Sequence, residues 1–190
     1  MACAGITNNT YTGNTVNTRR VGAVGGGTVT NQDTGEMFCS IQGAINDANT
    51  LNGHTILVGN GTYAENVVIS KTLELVGESQ AGVVVQPALL NPDCRTGGEG
   101  SLCGGQASSI FLVQANNVTI HDMTLDGNNP DLASGVTCGG EDIDARNGII
   151  ENHAIGVFDN LEVYNTAVRN IYLRGIYASS GGDGFNLHDN

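Results

Sequence analysis

The sequence predicts an all-β protein: a stack of short strands with one short helix across its first end. Three observations predict this class. An amphipathic helical segment at about residues 41–49 is followed at once by short apolar segments, and a two-strand unit recurs further along the chain. The composition agrees, because 28 Gly, only 3 Pro and a charged fraction of 14% suit many tight turns between short strands.

The predicted helix begins after Ser40, a good N-cap because its hydroxyl can accept a hydrogen bond from a free backbone N–H. Its apolar residues share one helix face at the spacing i, i+3, i+4, i+7, and they are Ile41, Ala44, Ile45 and Ala48. A single apolar stripe has to be buried against another element. Laid across the end of stacked strands, the helix would cover both their apolar interior and their unpaired edge.

Short strands are predicted directly after the helix, over residues 55–58, 67–69 and 73–75. Gly, Asn and Lys separate these segments, which are too short and too frequent for helices. Further apolar segments predict strands at 83–85, 110–113, 118–125, 147–149 and 158–165.

The run from Ser40 to Gly77, SIQGAIN…HTILVGNGTYAENVVISKTLELVG, resembles the opening coil of the right-handed parallel β-helix proteins, the pectin-lyase-like group, in the variety common in secreted bacterial proteins. The resemblance is specific over this segment and extends over the rest of the chain as a style of repeat. It implies a right-handed parallel β-helix with a short N-terminal capping α-helix. It does not select an activity, because this fold carries lyases, hydrolases, esterases, epimerases, adhesins and inert stalks.

The domain organisation follows from these segments. Residues 1–37 are expected to form an N-terminal arm and the first strand, and residues 38–190 the parallel β-helix. Loops inserted at about residues 87–108 and 128–146 interrupt the strand pattern. Because the chain ends at Asn190 in strand-like sequence without a closing helix, we expect the β-helix to be truncated there, and to continue into further chain or to stack end to end on a partner.

Internal similarity predicts how the strands pair. Ile56 and Val83 are offset by 27 residues, residues 120–127 align with 158–165 at an offset of 38, and 147–149 align with 183–185 at an offset of 36. Longer offsets imply loops inserted at one corner of the stack. Asparagine at strand ends predicts tight corners, because Asn tolerates left-handed backbone. These residues are Asn116, Asn117, Asn147, Asn160, Asn165 and Asn170.

The charge balance excludes two classes of partner. A formal net charge of −12 with only 7 Lys and Arg cannot form the basic surface that nucleic acid or an anionic membrane requires. No apolar run approaches the roughly 20 residues of a membrane span. The first residues lack the features of a signal peptide. The family resemblance and the cysteine spacing nevertheless predict a secreted protein or one at a bacterial cell surface.

The five cysteines predict disulfides. Cys94 and Cys103 bracket a Gly-rich loop that contains little to pack except Leu102, so a disulfide between them would hold this insertion. Cys3 could pair with Cys39 if the N-terminal arm folds back over the helix, which would leave Cys138 odd. A reactive Cys138 would need a His partner, which the sequence does not place, and a free buried thiol is the commoner state, so the state of Cys138 stays open. Zinc binding is not favoured because no CxxC or nearby His pair occurs.

The densest group of charged residues lies at residues 141–146. Alternation places Asp142 and Asp144 on one face, where with Asp126 or Asp131 they could hold calcium through oxygen ligands; the alternative is a solvated acidic loop. For β-elimination from a uronate, calcium carboxylates and a basic residue are needed, so Arg146, Arg174 and Asp142 are the catalytic candidates. The isolated histidines, His121, His153 and His188, are interpreted as ordinary surface residues.

Two functions from different classes follow. The favoured one is a non-catalytic extracellular or cell-surface module, structural or adhesin-like, that presents loops to a polysaccharide or a surface protein. The alternative is the N-terminal part of a polysaccharide-active enzyme, a uronate lyase more than a glycoside hydrolase. Sequence marks of the related enzymes are missing, since the chain has no Trp, no Gly-His-Gly and a single lysine, Lys71.

Overall fold

Strands make up almost all of the regular structure in the described residues, which are 27–178 and 181–190 of the computed structural model. One α-helix, α1, spans Ile41–Asn46, and one 3-10 turn spans Cys103–Gly105. The strands are β1 Val29–Asn31, β2 Met37–Phe38, β3 His54–Val58, β4 Gly61–Ala64, β5 Val67–Ile69, β6 Leu73–Gly77, β7 Val83–Gln86, β8 Ser109–Val113, β9 Thr119–Asp126, β10 Thr137–Cys138, β11 Glu141–Asp142, β12 Ala145–Glu151, β13 Glu162–Arg169, β14 Ile171–Tyr177 and β15 Asn186–His188.

The chain alternates between two mainly parallel sheets. The first sheet has the order β15-β13-β9-β6-β3-β1-β2, with β4 and β7 joined to it through β9, and the second has the order β14-β12-β8-β5. Antiparallel pairing occurs where β1 meets β2 and β3, and in the small β10–β11 hairpin. The predicted all-β class with parallel strands is therefore confirmed, while the start of the first sheet is mixed.

The core lies between the sheets and consists of in-register rows of inward side chains. One row of the first sheet pairs residues strand by strand: Ile56, Leu75, Ile120, Val163 and Leu187. The first four are fully buried, as are Tyr63 and Phe111. Within a row, each apolar side chain is flanked by its counterparts on the adjacent strands, as expected for stacked strands that cannot bury their cores alone.

Helix α1 covers the end of the stack at which both sheets begin. It contacts β1, β2, β3 and β5 and buries Ile41, Ala44 and Ile45. The Ser40 hydroxyl accepts a hydrogen bond from Gly43 N at 3.0 Å, as the sequence predicts. The helix ends at Asn46, not near residue 49, because Asp47 has extended backbone and its carboxylate accepts a bond from Asn49 N at 2.9 Å.

Two side chains join this helix to the edge of the second sheet. The Gln42 amide bonds both backbone groups of Val68 in β5, accepting from its N–H at 2.7 Å and donating to its carbonyl at 3.2 Å. The Glu65 carboxylate accepts from Ile41 N and Gln42 N, each at 2.9 Å, and so binds the free N–H groups of the helix start. The N–H and carbonyl of Val68, which would otherwise be unpaired at the edge of the sheet, therefore both have hydrogen-bond partners.

Left-handed asparagines form the corners of the stack. Asn117 and Asn160 have φ of 53° and 60°, and Asn160 Nδ2 donates to Asn117 Oδ1 at 2.8 Å. Asn170, with φ of 55°, occupies a later corner, directly after β13. Two predicted corner residues lie elsewhere: Asn165 is within β13, where it aligns with a left-handed kink at Asp122 of β9, and Asn147 is buried inside β12.

The predicted repeat offsets are wrong, although the predicted strands exist, the last of them at Glu162–Arg169 and not at 158–165. Ile56 pairs with Leu75 and not with Val83. Val163 pairs with Ile120, at the spacing of 43 residues that also separates Asn117 from Asn160. Residues 147–149 pair with β14, not with residues 183–185.

The first inserted loop is held by a disulfide and an arginine. Cys94 and Cys103 are bonded, as predicted, and Leu102 is buried beneath the loop. Arg146 Nη1 donates to Pro92 O at 2.7 Å and its Nε to Gly100 O at 3.0 Å. Because Arg146 lies within β12, the second insertion ends before Ala145, earlier than the predicted boundary at residue 146.

The remaining cysteines have different outcomes. Cys39 is buried and disulfide-bonded, but Cys3 lies outside the described residues, so the Cys3–Cys39 pairing stays a prediction. Cys138, whose state the sequence left open, is a free thiol exposed in β10.

Candidate functional site

A row of stacked rings runs along the outward face of the first sheet. His121, Tyr164 and His188 are paired in register on β9, β13 and β15. The ring centroids of His121 and Tyr164 are 4.3 Å apart with planes at 10°, and those of Tyr164 and His188 are 5.0 Å apart at 6°. We call these three residues the ring ladder. The rings stack because parallel strands in register place each outward side chain beside the equivalent side chain of the neighbouring strand.

Carboxylates bracket both histidines of the ring ladder in the same way. His121 Nδ1 is 2.7 Å from Asp122 Oδ2, and its Nε2 is 3.3 Å from Glu74 Oε1. His188 Nδ1 is 2.9 Å from Asp189 Oδ2, and its Nε2 is 3.7 Å from Glu162 Oε1. Each histidine therefore lies between the acid that follows it in sequence and an acid from the adjoining outward row.

The site is acidic and its tyrosine is protonated. Burial, followed by the negative charges of Glu74, Asp122 and Glu162, raises the pKa of Tyr164 above its ordinary value. The hydrogen bond to Asp189 raises the pKa of His188. Burial opposes ionisation of Asp122, but hydrogen bonds from His121 and Asn165 outweigh it and hold the pKa of Asp122 below its usual range.

The ring ladder offers hydrogen-bond acceptors and a neutral hydroxyl to solvent. The side chains of Glu74 and Glu162 are 44% and 37% exposed. Among the described residues, no Lys or Arg pairs with the four carboxylates around it. The arrangement can accept bonds from ligand hydroxyl or amino groups, while a polyanion would meet like charge.

The predicted acidic residues are only partly brought together. Asp142 Oδ2 and Asp144 Oδ1 both accept from Ser134 N, at 2.9 Å and 3.2 Å, as their predicted shared face requires. Asp144 is fully buried, and burial, together with the nearby charge of Asp142, raises its pKa. Both carboxylates hold the second inserted loop in place through backbone donors.

Asp126 is engaged elsewhere, by Arg169 Nε at 3.0 Å and Asn170 Nδ2 at 2.8 Å. Across residues 27–178 and 181–190, no group of three or more His, Cys, Asp or Glu is arranged to hold a metal ion. Calcium binding by Asp126, Asp142 and Asp144 thus stays a prediction, and in this geometry Asp126 already has a cationic partner.

The predicted basic residues have separate structural partners. The buried Arg146 donates to carbonyls of the disulfide loop and lies 5.5 Å from the ring centre of Tyr172. Arg174 lies 4.7 Å from the ring centre of Tyr177. Lys71 Nζ donates to the carbonyls of Asp47 and Thr50, just after α1. The hydrogen bonds of Arg146 and Lys71 engage the groups that a proton-abstracting base would need free, whereas Arg174 is exposed and is described here by a ring contact alone.

Sequence reasoning missed the ring ladder, although one signal for it exists. The dipeptide His-Asp occurs at residues 121–122 and again at 188–189, each time after an inward apolar residue, Ile120 or Leu187. The intervening Tyr164 is followed by Asn165 in place of Asp. Considered singly, each histidine resembles an ordinary surface residue; considered as a repeat, they predict a row.

The chain is similar in sequence to a cell surface protein and in fold to an enzyme of known structure. Over 106 residues, which are 56% of this chain and 15% of the relative, the sequence is 29% identical to a cell surface glycoprotein of Methanothermus fervidus. The fold is similar to the crystal structure of a pectin methylesterase mutant in complex with hexasaccharide IV, with a TM-score of 0.52 and 18% identity. That similarity covers 92% of this chain and 50% of the enzyme.

These similarities concern architecture. The chain spans half or less of either protein, and at this identity the structural likeness establishes the fold alone. No family model matches the chain. Within the described residues, no helix combines the length and apolar character that crossing a membrane requires.

Proposed function

We propose that this chain is a right-handed parallel β-helix that serves as a non-catalytic module on the outside of a cell. The alternation between two parallel sheets and the likeness to pectin methylesterase support the β-helix. Right-handed crossover is the rule for parallel strands joined across a fold. The similarity to a cell surface glycoprotein supports the extracellular location.

The ring ladder is the proposed binding face, and its ligand is a glycan without carboxylate groups. Exposed acceptors on Glu74 and Glu162 suit the hydroxyl donors of a neutral sugar or the amino group of an amino sugar. The stacked rings of Tyr164 and His188 supply aromatic surface beside these acceptors, which a sugar ring can contact. Like-charge repulsion disfavours polyuronates.

The single observation that carries the non-catalytic assignment is the engagement of two of the three candidate catalytic groups, Arg146 and Asp142. Arg146 donates to Pro92 O and Gly100 O, and Asp142 accepts from both the N–H and the hydroxyl of Ser134. A group with such buried structural bonds is not positioned to abstract a proton from a bound substrate.

Binding to immobilised polysaccharides tests this proposal. We expect the chain to retain a neutral or amino-sugar polysaccharide and not a polyuronate. Tyr164→Ala removes the middle ring of the ladder and should weaken binding by about tenfold, which corresponds to about 1.4 kcal/mol. Tyr172→Ala, which removes an exposed tyrosine of the second sheet, is the matched control and should leave binding unchanged.

Two outcomes would contradict the proposal. Equal loss of binding in both tyrosine variants would remove the ring ladder as the binding face. Calcium-dependent release of unsaturated uronate from a polyuronate would instead establish the lyase alternative.

A further inference from the structure

The sequence contains the tripeptide Asn-x-Thr three times: at Asn8, at Asn60 and at Asn117. This tripeptide, with any residue but Pro in the middle, is the acceptor for N-linked glycans in secreted proteins. Asn8 lies outside the described residues. The other two occupy very different positions in the fold, and the difference decides which of them an enzyme can reach.

The tripeptide of Asn60 is open to solvent. Asn60 and Thr62 are exposed, and the middle residue, Gly61, has no side chain to bury. Asn60 Oδ1 accepts from the Ser79 hydroxyl at 2.8 Å, while its Nδ2, the atom that would be glycosylated, has no hydrogen-bond partner among the described residues. The acceptor amide is therefore presented without any bond having to break at nitrogen.

The strand that carries Thr62 is also at an edge. Among the described strands, β4 pairs with β7 alone. Edge segments open locally at lower free energy than strands paired on both sides. Among the described strands, a transferase that draws this tripeptide into its own active site has only the pairing with β7 to open.

The tripeptide of Asn117 is anchored. Its middle residue, Val118, is fully buried in the core cluster. Thr119 begins β9, which pairs with β6 and β7 on one side and with β13 on the other. Asn117 also stacks against the next corner, accepting from Asn160 Nδ2 at 2.8 Å. Presenting Asn117 to an enzyme would require Val118 to leave the core.

We propose that Asn60 is a site of N-linked glycosylation in the folded chain and that Asn117, despite its matching tripeptide, is not. Nδ2 of Asn60 loses a proton and forms a bond to the anomeric carbon of an oligosaccharide held on a lipid phosphate. The anomeric carbon–oxygen bond breaks, and the lipid phosphate leaves with its electron pair. The proton passes to a base of the transferase. The modification rests on the proposed extracellular location, where such donors are used.

The test uses the folded full chain with Asn8→Gln, so that only the two described tripeptides remain. The protein is incubated with a single-subunit oligosaccharyltransferase that requires only Asn-x-Thr, together with its lipid-linked oligosaccharide. Glycopeptide mass spectrometry then measures occupancy at each site. We expect Asn60 to be occupied and Asn117 to be modified at least about tenfold less, because its segment must open first.

Matched controls isolate the role of the fold. Thr62→Ala removes the hydroxyl of the tripeptide and should abolish occupancy at Asn60. Asn52 is also exposed and followed by Gly53, but His54 replaces the threonine, so it should remain unmodified. Unfolded peptides covering residues 56–66 and 113–123 should both accept the glycan, which shows that folding alone distinguishes the sites.

An unmodified Asn60 in the folded chain, or equal occupancy at Asn60 and Asn117, would overturn the proposal. The assay supplies the enzyme and donor directly, so its outcome is independent of whether the ring ladder binds glycans or the chain resides outside a cell.

Discussion

The two ends of the strand stack differ in how they treat the same kind of residue. At the first end, α1 buries Ile41 and Ile45, and Gln42 bonds the edge of β5. At the other end, β14 and β15 leave Leu173 and Leu187 43% and 45% exposed. Burial of an inward leucine therefore depends on whether a neighbouring strand or helix covers it, and not on the residue type.

Truncation of a fully buried leucine should change the free energy of unfolding most. Leu75 and Leu187 occupy the same inward row, but Leu75 is fully buried and Leu187 is not. Leu75→Ala should reduce the free energy of unfolding by about 2–5 kcal/mol. Leu187→Ala should reduce it by less than about 1 kcal/mol. Chemical denaturation of both variants measures the difference, and equal losses would show that both ends are covered.

A smaller loss of stability is expected at β5, the edge strand that Gln42 of α1 bonds. Gln42→Ala leaves the N–H and carbonyl of Val68 without their partner, which should cost about 1–2 kcal/mol of unfolding free energy. Gln32→Ala, at an exposed position with no side-chain hydrogen bond described, is the control and should change stability by less than about 0.5 kcal/mol. If the two variants proved equally stable, the helix would cover the stack without satisfying its edge.

The smallest change in stability is electrostatic and comes from the protonation of His188 in β15. The raised pKa of His188 means that its protonation favours the folded state. This contribution is present below the ordinary histidine pKa and is lost as pH rises through the raised, folded value. Asp189→Asn should lower the pKa of His188 in an NMR titration, because it removes the main hydrogen-bonding partner. An unchanged titration would mean that Asp189 does not contact the ring in solution.

Local features were predictable because they depend on neighbouring residues. Ser40 as a cap, the strands after it and the Cys94–Cys103 disulfide all follow from short-range pattern, and the structure has each of them. The end of α1 was misplaced because Ala48 continues the apolar spacing although an Asp47 turn ends the helix.

Register was not predictable because two alignments have almost the same apolar spacing. Phe158, Leu161 and Val163 match the inward residues of β9, but the structure uses Val163, Thr166 and Val168 instead. Thr166 is fully buried, which is possible because its hydroxyl donates to Tyr164 O at 2.9 Å. A sequence comparison that rewards apolar matches favours the wrong alignment, and the ring ladder, which depends on register, was missed for the same reason.

Hydrogen exchange tests the central claim, that a strand of this stack is protected where another layer covers it. The amide of Val68, bonded to Gln42, and those of β6 should exchange at least about tenfold more slowly than the amides of β15. Protection of β15 equal to that of β6, or a Val68 amide that exchanges as fast as β15, would contradict the account.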